Sequence, residues 1–530
     1  MKKAKKIENI PLILIILDGW GIDKPNVGNA ITLAKIPTIN GLTKKYPSTK
    51  LHAHGRYVGL PRWQSGNSEA GHVNIGAGRV IKQDMVRISD EIDNGTFFKN
   101  SAFLGAIRHV KKMNSKIHVM GMLSNGRSPH SDPKHLVALL KLFKKRGIKE
   151  VFLHLFTDGR DSPKYSSLKL IEEFEKSNIN GFKIATLMGR FYAMDRKKDW
   201  KKTKKAFDAL VFGKGRKAES ATTAITEAYN RGESDEFIEP YIIESENGKN
   251  TRIEDNDSVI FFNLRSDRSR QLAKVFVQNR FNKMNEKAFK RSKRLEHLYF
   301  VAMTDFGPDL DEILTAYPSV DIDETLPMEL SDLRQLYIAE TEKYAHVTYF
   351  FNGGYAGTVA GEKQLMIPSP DVRSYDMTPG MSSEKLVKSI IQNIHFKKKI
   401  FWKYDFTVIN FACPDMVGHT GNLKAGIGCC EIIDKCVRDI VEAYLKVNGT
   451  IIITADHGNI DQMINIKTGE IFTEHTSNPV PFIIINKKLK NKIKLMNNGS
   501  LSDISPTILD LLRREKPESM SGKSLIIRNS

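Results

Sequence analysis

Carboxylate and imidazole side chains follow several apolar runs of this sequence, where they could bind a metal or a phosphate. The run at residues 450–455 ends in Asp456 and His457, and Gly458 then allows a sharp turn. A run of this kind, bounded by Gly and polar residues, predicts a buried strand of a parallel sheet. Ligands of open α/β sheets bind beyond the carboxyl ends of strands, so the pair is a candidate site; a turn without function is the alternative.

Other apolar runs end in the same way. Residues 11–17 lead to Asp18, and residues 406–412 lead to Asp415 and His419. Asp415 and His419 are one helical turn apart, close enough for both to reach one cation. His475 follows the Asp456 segment and adds another imidazole.

Ser68 lies in a glycine-rich segment, residues 66–79, that matches neither a P-loop nor the GxGxxG pattern. One interpretation is an ordinary helix N-cap. The other is a serine nucleophile at a helix start, where backbone N–H groups could hold a phosphoryl group.

These residues form a mixed set of carboxylate, imidazole and hydroxyl donors. The members are Asp18, Ser68, Asp415, His419, Asp456, His457 and His475. Such a set favours Mn²⁺ or Zn²⁺ over Mg²⁺ and Ca²⁺, which prefer oxygen ligands. Its size exceeds one tetrahedral zinc and suits two metals beside a phosphoryl oxygen. The alternative is a scatter of turn aspartates and core histidines.

The middle of the chain predicts a second α/β unit with a parallel sheet, because strand-like runs alternate with amphipathic helical segments. The runs are residues 117–122, 150–156, 182–187, 258–263 and 298–303. The segments after them supply Arg127, His130, Arg160, Asp161, Arg190, Arg196, Arg265 and Arg268. Guanidinium groups bind phosphate and carboxylate in bidentate fashion, so the set predicts an anion site. For any single arginine, a surface salt bridge is the alternative.

Three further segments carry structural predictions. Residues 307–327 are rich in turn-forming and acidic residues, which predicts a linker returning to the first unit. Residues 427–445 have apolar side chains every three or four positions, which predicts an amphipathic helix facing a core. Residues 502–512 predict a capped closing helix.

Length and composition limit the class of protein. The 530 residues exceed one ordinary core, and 40% hydrophobic with 27% charged residues is typical of a soluble globular protein. The basic residues 2–6 and the apolar run 11–17 imitate a signal peptide, but no cleavage site follows, which favours a first strand. No apolar run reaches the roughly 18 residues of a membrane span.

Cysteine usage and net charge limit the location and the partners. Cys413, Cys429, Cys430 and Cys436 lack disulfide or zinc-finger spacing, which favours reduced thiols in a cytoplasm. The formal charge of +20 suggests nucleic-acid binding. However, the basic residues are scattered, and the densest runs, 197–205 and 487–494, match no nucleic-acid motif. Solvated helix faces, or attraction of an anionic small molecule, are the preferred interpretations.

Taken together, these motifs resemble those of the cofactor-independent phosphoglycerate mutases of the alkaline phosphatase superfamily. The matching segments are residues 17–21, 66–69, 130–132, 158–161, 189–190, 194–196, 265–268, 340–346, 415–421 and 456–459. Two departures lie beside Ser68: Ala70 stands where the family usually has Val, and Trp63-Gln64-Ser65 stands where Gly and Met are usual. Neither departure removes a chemical group.

The resemblance implies an α/β fold of two domains with mostly parallel sheets. A metal-binding, phosphatase-like domain comprises residues 1–82 and 318–530, and it is split by an inserted substrate-binding transferase domain, residues 83–317. The implied reaction interconverts 3-phosphoglycerate and 2-phosphoglycerate through a phosphoserine, without 2,3-bisphosphoglycerate. The resemblance implies a monomer, and the cysteines, the scattered basic residues and the short apolar runs favour a cytoplasmic protein that binds neither nucleic acid nor membrane.

The resemblance also assigns the site residues. One Mn²⁺ is held by Asp415, His419 and His475, and the other by Asp18, Ser68, Asp456 and His457. The phosphate-side contacts are His130, Arg265, Arg268 and Lys343, and the glycerate-side contacts are Arg160, Asp161, Arg190 and Arg196. The alternative is another phosphomutase of the superfamily, such as a phosphopentomutase, or a phosphatase; the arginine-rich inserted segment argues against it.

Overall fold

The chain consists of two compact units. The computed structural model describes residues 10–176, 181–244, 250–395 and 401–528, so the basic residues 2–6 lie outside the described residues. The discontinuous unit comprises residues 1–83 and 320–530, and the inserted unit comprises residues 84–319. The domain boundaries expected from the sequence fall between residues 82 and 83 and between residues 317 and 318. Among the described residues, no helix has both the length and the apolar character needed to cross a membrane.

The discontinuous unit is built on an eight-stranded sheet. In spatial order its strands are Lys363–Ile367, Gln335–Glu340, Phe406–Phe411, Leu12–Leu17, Thr450–Thr454, Val480–Ile485, Ser48–His52 and Gly499–Ser500. The first five are mutually parallel, and Val480–Ile485 is antiparallel to both of its neighbours. The central strands are buried on both faces, as their continuous apolar runs predicted.

Helices cover this sheet. The α-helices are Ala30–Leu33, Pro37–Lys45, Ser68–Ala77, Leu326–Glu329, Ser383–Ile391, Cys413–Gly418, Leu423–Lys446 and Ile504–Leu511. Shorter 3₁₀ turns are Gly55–Val58, Thr341–Lys343, Tyr375–Met377 and Leu501–Asp503, and His346–Phe350 is a π-helical segment. Leu423–Lys446 confirms the predicted amphipathic helix. Two small ribbons pair Ile394–His395 with Phe401–Trp402, and Ile493–Leu495 with Ile526–Arg528.

The inserted unit has its own eight-stranded sheet. In spatial order the strands are Leu314–Tyr317, Tyr299–Thr304, Ser258–Phe261, Ile117–Met122, Val151–Thr157, Phe182–Gly189, Tyr241–Ile243 and Arg216–Ala218. All neighbouring pairs are parallel except Phe182–Gly189 with Tyr241–Ile243. The helices are Asp84–Asn94, Thr96–Lys99 (3₁₀), Ser101–Met113, Pro133–Lys145, Ser167–Glu175, Arg190–Ala193, Trp200–Phe212, Ala221–Asn230, Asp235–Phe237 (3₁₀), Ser266–Val277 and Phe281–Met284. The predicted second α/β unit is confirmed.

One prediction about secondary structure is wrong in part. Residues 307–327 were predicted as a linker, but Leu314–Tyr317 is an edge strand paired with Tyr299–Thr304. A strand of four residues lacks a recognisable period, and it forms because a partner strand offers backbone hydrogen bonds. Cys413, Cys429, Cys430 and Cys436 are buried free thiols, and the cytoplasmic location stays a prediction.

Candidate metal centre and arginine cluster

Four adjacent parallel strands of the discontinuous unit place charged side chains along one edge of the sheet. Strand Gln335–Glu340 leads to Lys343, Phe406–Phe411 to Asp415, Leu12–Leu17 to Asp18, and Thr450–Thr454 to Asp456 and His457. The carboxyl ends of parallel strands lie side by side, so side chains distant in sequence converge there. We call this group, with Ser68, His419 and His475, the metal centre.

Ser68 is the first residue of helix Ser68–Ala77, and Asn67 is the N-cap. The Asn67 side chain accepts a hydrogen bond from Ala70 N at 2.8 Å, so the N-cap interpretation of Ser68 is wrong. The Ser68 hydroxyl instead lies 3.2 Å from Asp18 Oδ1 and 3.0 Å from His457 Nε2. The helix start is therefore positioned to present this hydroxyl to the metal centre.

Close helix packing explains the glycine at position 71. A Cβ there would lie 2.7 Å from Asp456 Cβ, closer than real Cβ atoms approach. Gly71 therefore allows the helix start to contact the Asp456 segment. Ala70 is fully buried beside it, and Trp63 remains half exposed.

Lys343 connects the hydroxyl to the carboxylates. Its Nζ lies 2.7 Å from Ser68 Oγ, 2.7 Å from Asp18 Oδ1 and 2.6 Å from Asp415 Oδ2. Burial acts to lower the Lys343 pKa, but the neighbouring carboxylates outweigh it and hold the pKa above its usual value. Lys343 is therefore a cation that donates a hydrogen bond to Ser68 Oγ.

Asp415, His419 and His475 form the first candidate metal group. The two Nε2 atoms lie 3.3 Å from Asp415 Oδ1 and 3.1 Å from each other. The Nδ1 of His419 lies 2.8 Å from Thr473 O, and that of His475 lies 2.8 Å from Gly66 O. Each neutral ring therefore carries its proton on Nδ1 and directs the Nε2 lone pair inward. Two such lone pairs beside a carboxylate fit a shared cation.

Asp18, Asp456 and His457 form the second group, with ligand atoms within 4.8 Å of one another. Asp456 Oδ1 accepts hydrogen bonds from Gly19 N and His457 N, at 3.2 and 3.0 Å. Asp456 Oδ2 is buried without a hydrogen-bond partner among the described residues, although His72 Nδ1 lies 3.3 Å away. A buried carboxylate oxygen in this position fits a metal ligand.

The charge balance of the metal centre also favours cations. Three buried carboxylates (Asp18, Asp415 and Asp456) face one ammonium (Lys343), which leaves a formal charge of −2. Burial, and then Asp456, raises the pKa of Asp18 to about 7. Burial acts to raise the Asp415 pKa, but Lys343 and the neighbouring histidines together outweigh it and hold that pKa well below its usual range. Two divalent ions would convert −2 to +2, which complements a phosphoryl dianion.

Two supporting asparagines were missed by the sequence reasoning. Asn459 Nδ2 donates to Asp415 Oδ1 at 2.8 Å, and Asn410 Nδ2 donates to Asp18 Oδ2 at 2.7 Å. Both are fully buried. Asn410 interrupts an apolar run, and that polar residue in a central strand was the available signal.

In the inserted unit, Arg190 organises the candidate anion site. Its buried Nη1 donates to Asp158 Oδ1 at 2.6 Å and to Asp161 Oδ2 at 2.8 Å. Ser128 Oγ also donates to Asp161 Oδ2 at 2.8 Å. His130 Nε2 lies 3.9 Å from the same oxygen, and its pKa is lowered to about 3, by burial first and then by Arg190. Arg190 therefore fixes the position of Asp161.

The remaining arginines are more exposed. Arg196 Nη1 and Arg265 Nε donate to Asp267, at 3.0 and 3.3 Å. Arg268 Nη1 lies 3.4 Å from Met194 O, and burial together with repulsion from Arg196 lowers its pKa. Arg160 is half exposed, 3.8 Å from a Glu236 oxygen. We call these four residues, with His130, Asp161 and Arg190, the arginine cluster; Lys343 lies instead in the metal centre.

The fold and the metal centre together define an α/β enzyme of the metal-dependent phosphoryl-transfer class. Comparisons with known proteins give the family. The family model described as "BPG-independent PGAM N-terminus" matches residues 88–308. The 2,3-bisphosphoglycerate-independent phosphoglycerate mutase of Clostridium kluyveri is 46% identical over 520 residues, 97% of this chain and 99% of that protein. Enzyme 1 of that name from Methanosarcina barkeri is 47% identical over 535 residues, 100% of this chain and 99% of that protein.

A solved structure agrees. The crystal structure of Leishmania mexicana phosphoglycerate mutase at low cobalt concentration has a TM-score of 0.70 and 29% identity, over 99% of both chains. The chain belongs to the 2,3-bisphosphoglycerate-independent phosphoglycerate mutase family, a family of metal-dependent isomerases that interconvert 3-phosphoglycerate and 2-phosphoglycerate. The resemblance stated from the motifs is confirmed.

Proposed function

We propose that this chain carries out the mutase reaction through a phosphoserine on Ser68, with two divalent cations as cofactors. The observation that carries the proposal is the position of Ser68 Oγ, within 3.2 Å of Asp18, His457 and Lys343. A hydroxyl held by a cation, a carboxylate and an imidazole is suited to nucleophilic attack on phosphorus.

The two candidate groups described above would each hold one ion, and Ser68 would join the group of Asp18, Asp456 and His457. Mixed oxygen and nitrogen donors favour Mn²⁺, and the cobalt named for the Leishmania mexicana structure has similar ligand preferences. When bound, such ions withdraw charge from the phosphoryl oxygens and favour the serine alkoxide. Other divalent metals remain compatible with the same donors.

Lys343 and the neighbours of Ser68 determine where the proton goes. Because Lys343 donates to Ser68 Oγ, the serine hydrogen points toward His457 Nε2 or Asp18 Oδ1. The ammonium stabilises the negative oxygen that forms as the hydroxyl loses its proton. It then neutralises charge on the phosphorylated side chain.

The arginine cluster is proposed to bind the anionic groups of phosphoglycerate. His130, Arg265 and Arg268 would contact the phosphate, together with Lys343, and Arg160, Arg190 and Arg196 would contact the glycerate. Asp161, held by Arg190 and Ser128, can accept a hydrogen bond from a glycerate hydroxyl and orient it. The side chain of Ser68 is buried, which limits attack of water on the phosphoserine and favours the mutase over the phosphatase reaction.

The test is an assay of 3-phosphoglycerate conversion without added 2,3-bisphosphoglycerate. We expect turnover, its loss after exhaustive chelation, and its recovery with Mn²⁺. Ribose phosphate as substrate should give no turnover, which separates this activity from a phosphopentomutase. Unchanged turnover after chelation would refute the metal role.

The state and location of the protein are also proposed. The four buried thiols support a reducing, cytoplasmic location. A monomer of 60.0 kDa is expected in light scattering. The scattered basic residues support neither a nucleic-acid nor a membrane partner.

A further inference from the structure

A cavity with a volume of about 570 Å³ lies in the discontinuous unit. Its walls are the turn at residues 486–492, the ribbon of Ile493–Leu495 with Ile526–Arg528, and the end of helix Ile504–Leu511. This volume lies within the range of small-molecule sites, roughly 300–1,000 Å³.

The cavity lies near the amino ends of the parallel strands, whereas the metal centre lies at their carboxyl ends. Strand Val480–Ile485 leads into the turn, and Ile485 pairs with Ile451 near the amino end of the neighbouring strand. Asp456 follows the carboxyl end of that strand, so about five residues, or roughly 16 Å, separate the two edges. The cavity is therefore distinct from the catalytic site.

The cavity is cationic. It is lined by the basic residues Lys488, Lys492, Arg513, Arg514 and Arg528, against the acidic residues Asp510 and Glu515, for a formal charge of +3. Arg528 pairs with Asp510, and Arg514 pairs with Asp332 at 2.6 Å. In the described part of the chain, neither Lys488 nor Lys492 forms an ion pair. These two ammonium groups can bind an anion without breaking an existing contact.

The turn that carries the lysines is fixed before any ligand binds. Asn486 is buried, and its Nδ2 donates to Thr450 Oγ1 at 2.8 Å. Its Oδ1 accepts from Lys488 N, also at 2.8 Å. Because the backbone is already ordered, binding costs less conformational entropy.

Aliphatic side chains form the rest of the wall. Leu489, Ile493 and Ile526 line the cavity beside the lysines, and Ile493 is buried. A ligand that complements both surfaces carries a multiply charged anionic group and an apolar body. We propose that this cavity binds a nucleoside diphosphate, with its phosphates on Lys488 and Lys492 and its base against the aliphatic wall.

The test uses the fluorescent N-methylanthraniloyl derivative of ADP, titrated into the full chain loaded with Mn²⁺. Saturating 3-phosphoglycerate keeps the probe out of the catalytic site. We expect saturable binding that weakens at least about tenfold in the double variant Lys488→Gln with Lys492→Gln, because both phosphate contacts are lost. Turnover of that variant should stay within about twofold of the parent.

The matched control is Lys490→Gln with Lys494→Gln, which removes the same charge from the same segment at two side chains that do not line the cavity. We expect less than about a twofold change in affinity. ADP should displace the probe, and adenosine, which lacks the phosphates, should not. Three outcomes would each overturn the proposal. They are equal weakening of probe binding in both double variants, displacement of the probe by adenosine as effectively as by ADP, and no saturable binding.

Discussion

The metal centre of the discontinuous unit is buried and carries excess negative charge, whereas the arginine cluster of the inserted unit is partly exposed and carries more guanidinium than carboxylate groups. In the metal centre, three imidazoles (His419, His457 and His475) place Nδ1 against a backbone carbonyl and direct Nε2 inward. In the arginine cluster, guanidiniums bond to aspartates of the same unit. The first arrangement has excess negative charge that cations would balance, and the second keeps excess positive charge that an anion would balance.

This difference has a physical consequence for mutation. The scaffold of the metal centre is a buried parallel sheet that does not depend on Ser68 or on the ligands for its hydrophobic core. The scaffold of the arginine cluster includes the Arg190 ion pair itself. Loss of a group in the metal centre should therefore affect chemistry more than folding, and loss of Arg190 should affect both.

The largest expected effect is that of Ser68→Ala. Without the hydroxyl no phosphoserine forms, so turnover should fall by on the order of 10⁵-fold or more. The assay of 3-phosphoglycerate conversion measures the loss of turnover. The thermal unfolding midpoint should stay within a few degrees of the parent. The matched control is Ser65→Ala in the same loop, which should retain turnover. Mutase activity retained in Ser68→Ala would remove Ser68 from the reaction.

Arg190→Met should have the next largest effect, which is a loss of stability. The Arg190 side chain is only 3% exposed and Asp158 only 1%, so the substitution leaves a buried carboxylate without its partner. Breaking such a pair costs roughly 3 kcal/mol, which is a drop of about 6–12 °C in the unfolding midpoint of a unit of this size. Arg196→Met, whose side chain is half exposed, is the control and should leave the midpoint unchanged. An equal midpoint in both variants would contradict the central role of Arg190.

Asn459→Ala should have an intermediate effect, confined to metal binding. It removes the hydrogen bond to Asp415 Oδ1 but no ligand. Loss of such an outer contact weakens metal affinity by about 10–100-fold. A Mn²⁺ titration of activity measures the change, and turnover at saturating Mn²⁺ should largely recover. If saturating Mn²⁺ does not recover it, Asn459 acts on the chemistry rather than on the ion.

The smallest effect is a pH dependence of the inserted unit. His118 and His154 are fully buried in its sheet, 2.9 Å apart, and His154 Nδ1 lies 2.9 Å from Thr186 Oγ1. Burial is the main cause that lowers the pKa of both residues, and His118 further lowers that of His154. Of the charged groups nearby, Asp257 raises the pKa of His118 and Lys116 lowers it, but burial outweighs the carboxylate.

The sign follows from proton uptake. Above about pH 6.5 both histidines are neutral in the folded and unfolded states, so stability is full there. As pH falls below that value, the unfolded chain binds protons that the folded sheet excludes, at up to about 1.4 kcal/mol per pH unit for each histidine. The hydrogen-exchange protection factors of strands Ile117–Met122 and Val151–Thr157, which correct for slower intrinsic exchange at lower pH, should fall from pH 7 to 5.5. His154→Gln should show a shallower dependence than the control His109→Gln, and equal slopes would contradict this explanation.

Much of the metal centre was predictable because its residues follow long apolar runs. Such runs identify central strands, and the residue after each run then lies at a known edge of the sheet. The position of Lys343 was predictable only through the family resemblance, since strand Gln335–Glu340 before it was not identified. Short edge strands such as Leu314–Tyr317 and Arg216–Ala218 were missed, because pairing with a neighbour decides them rather than their own pattern.

By itself, the sequence determined the class of fold, the two α/β units and the chemical types at the strand ends, because hydrophobic periodicity and residue identity are local properties. Only the tertiary structure decided which atoms meet. Gly19 N reaches Asp456 Oδ1 across 437 positions, and Lys343 reaches Ser68 across 275. The folded backbone sets the distances between segments that are far apart in sequence. The carbonyl partners of the imidazoles, the Asn459 contact and the Arg190 ion pair depend on those distances.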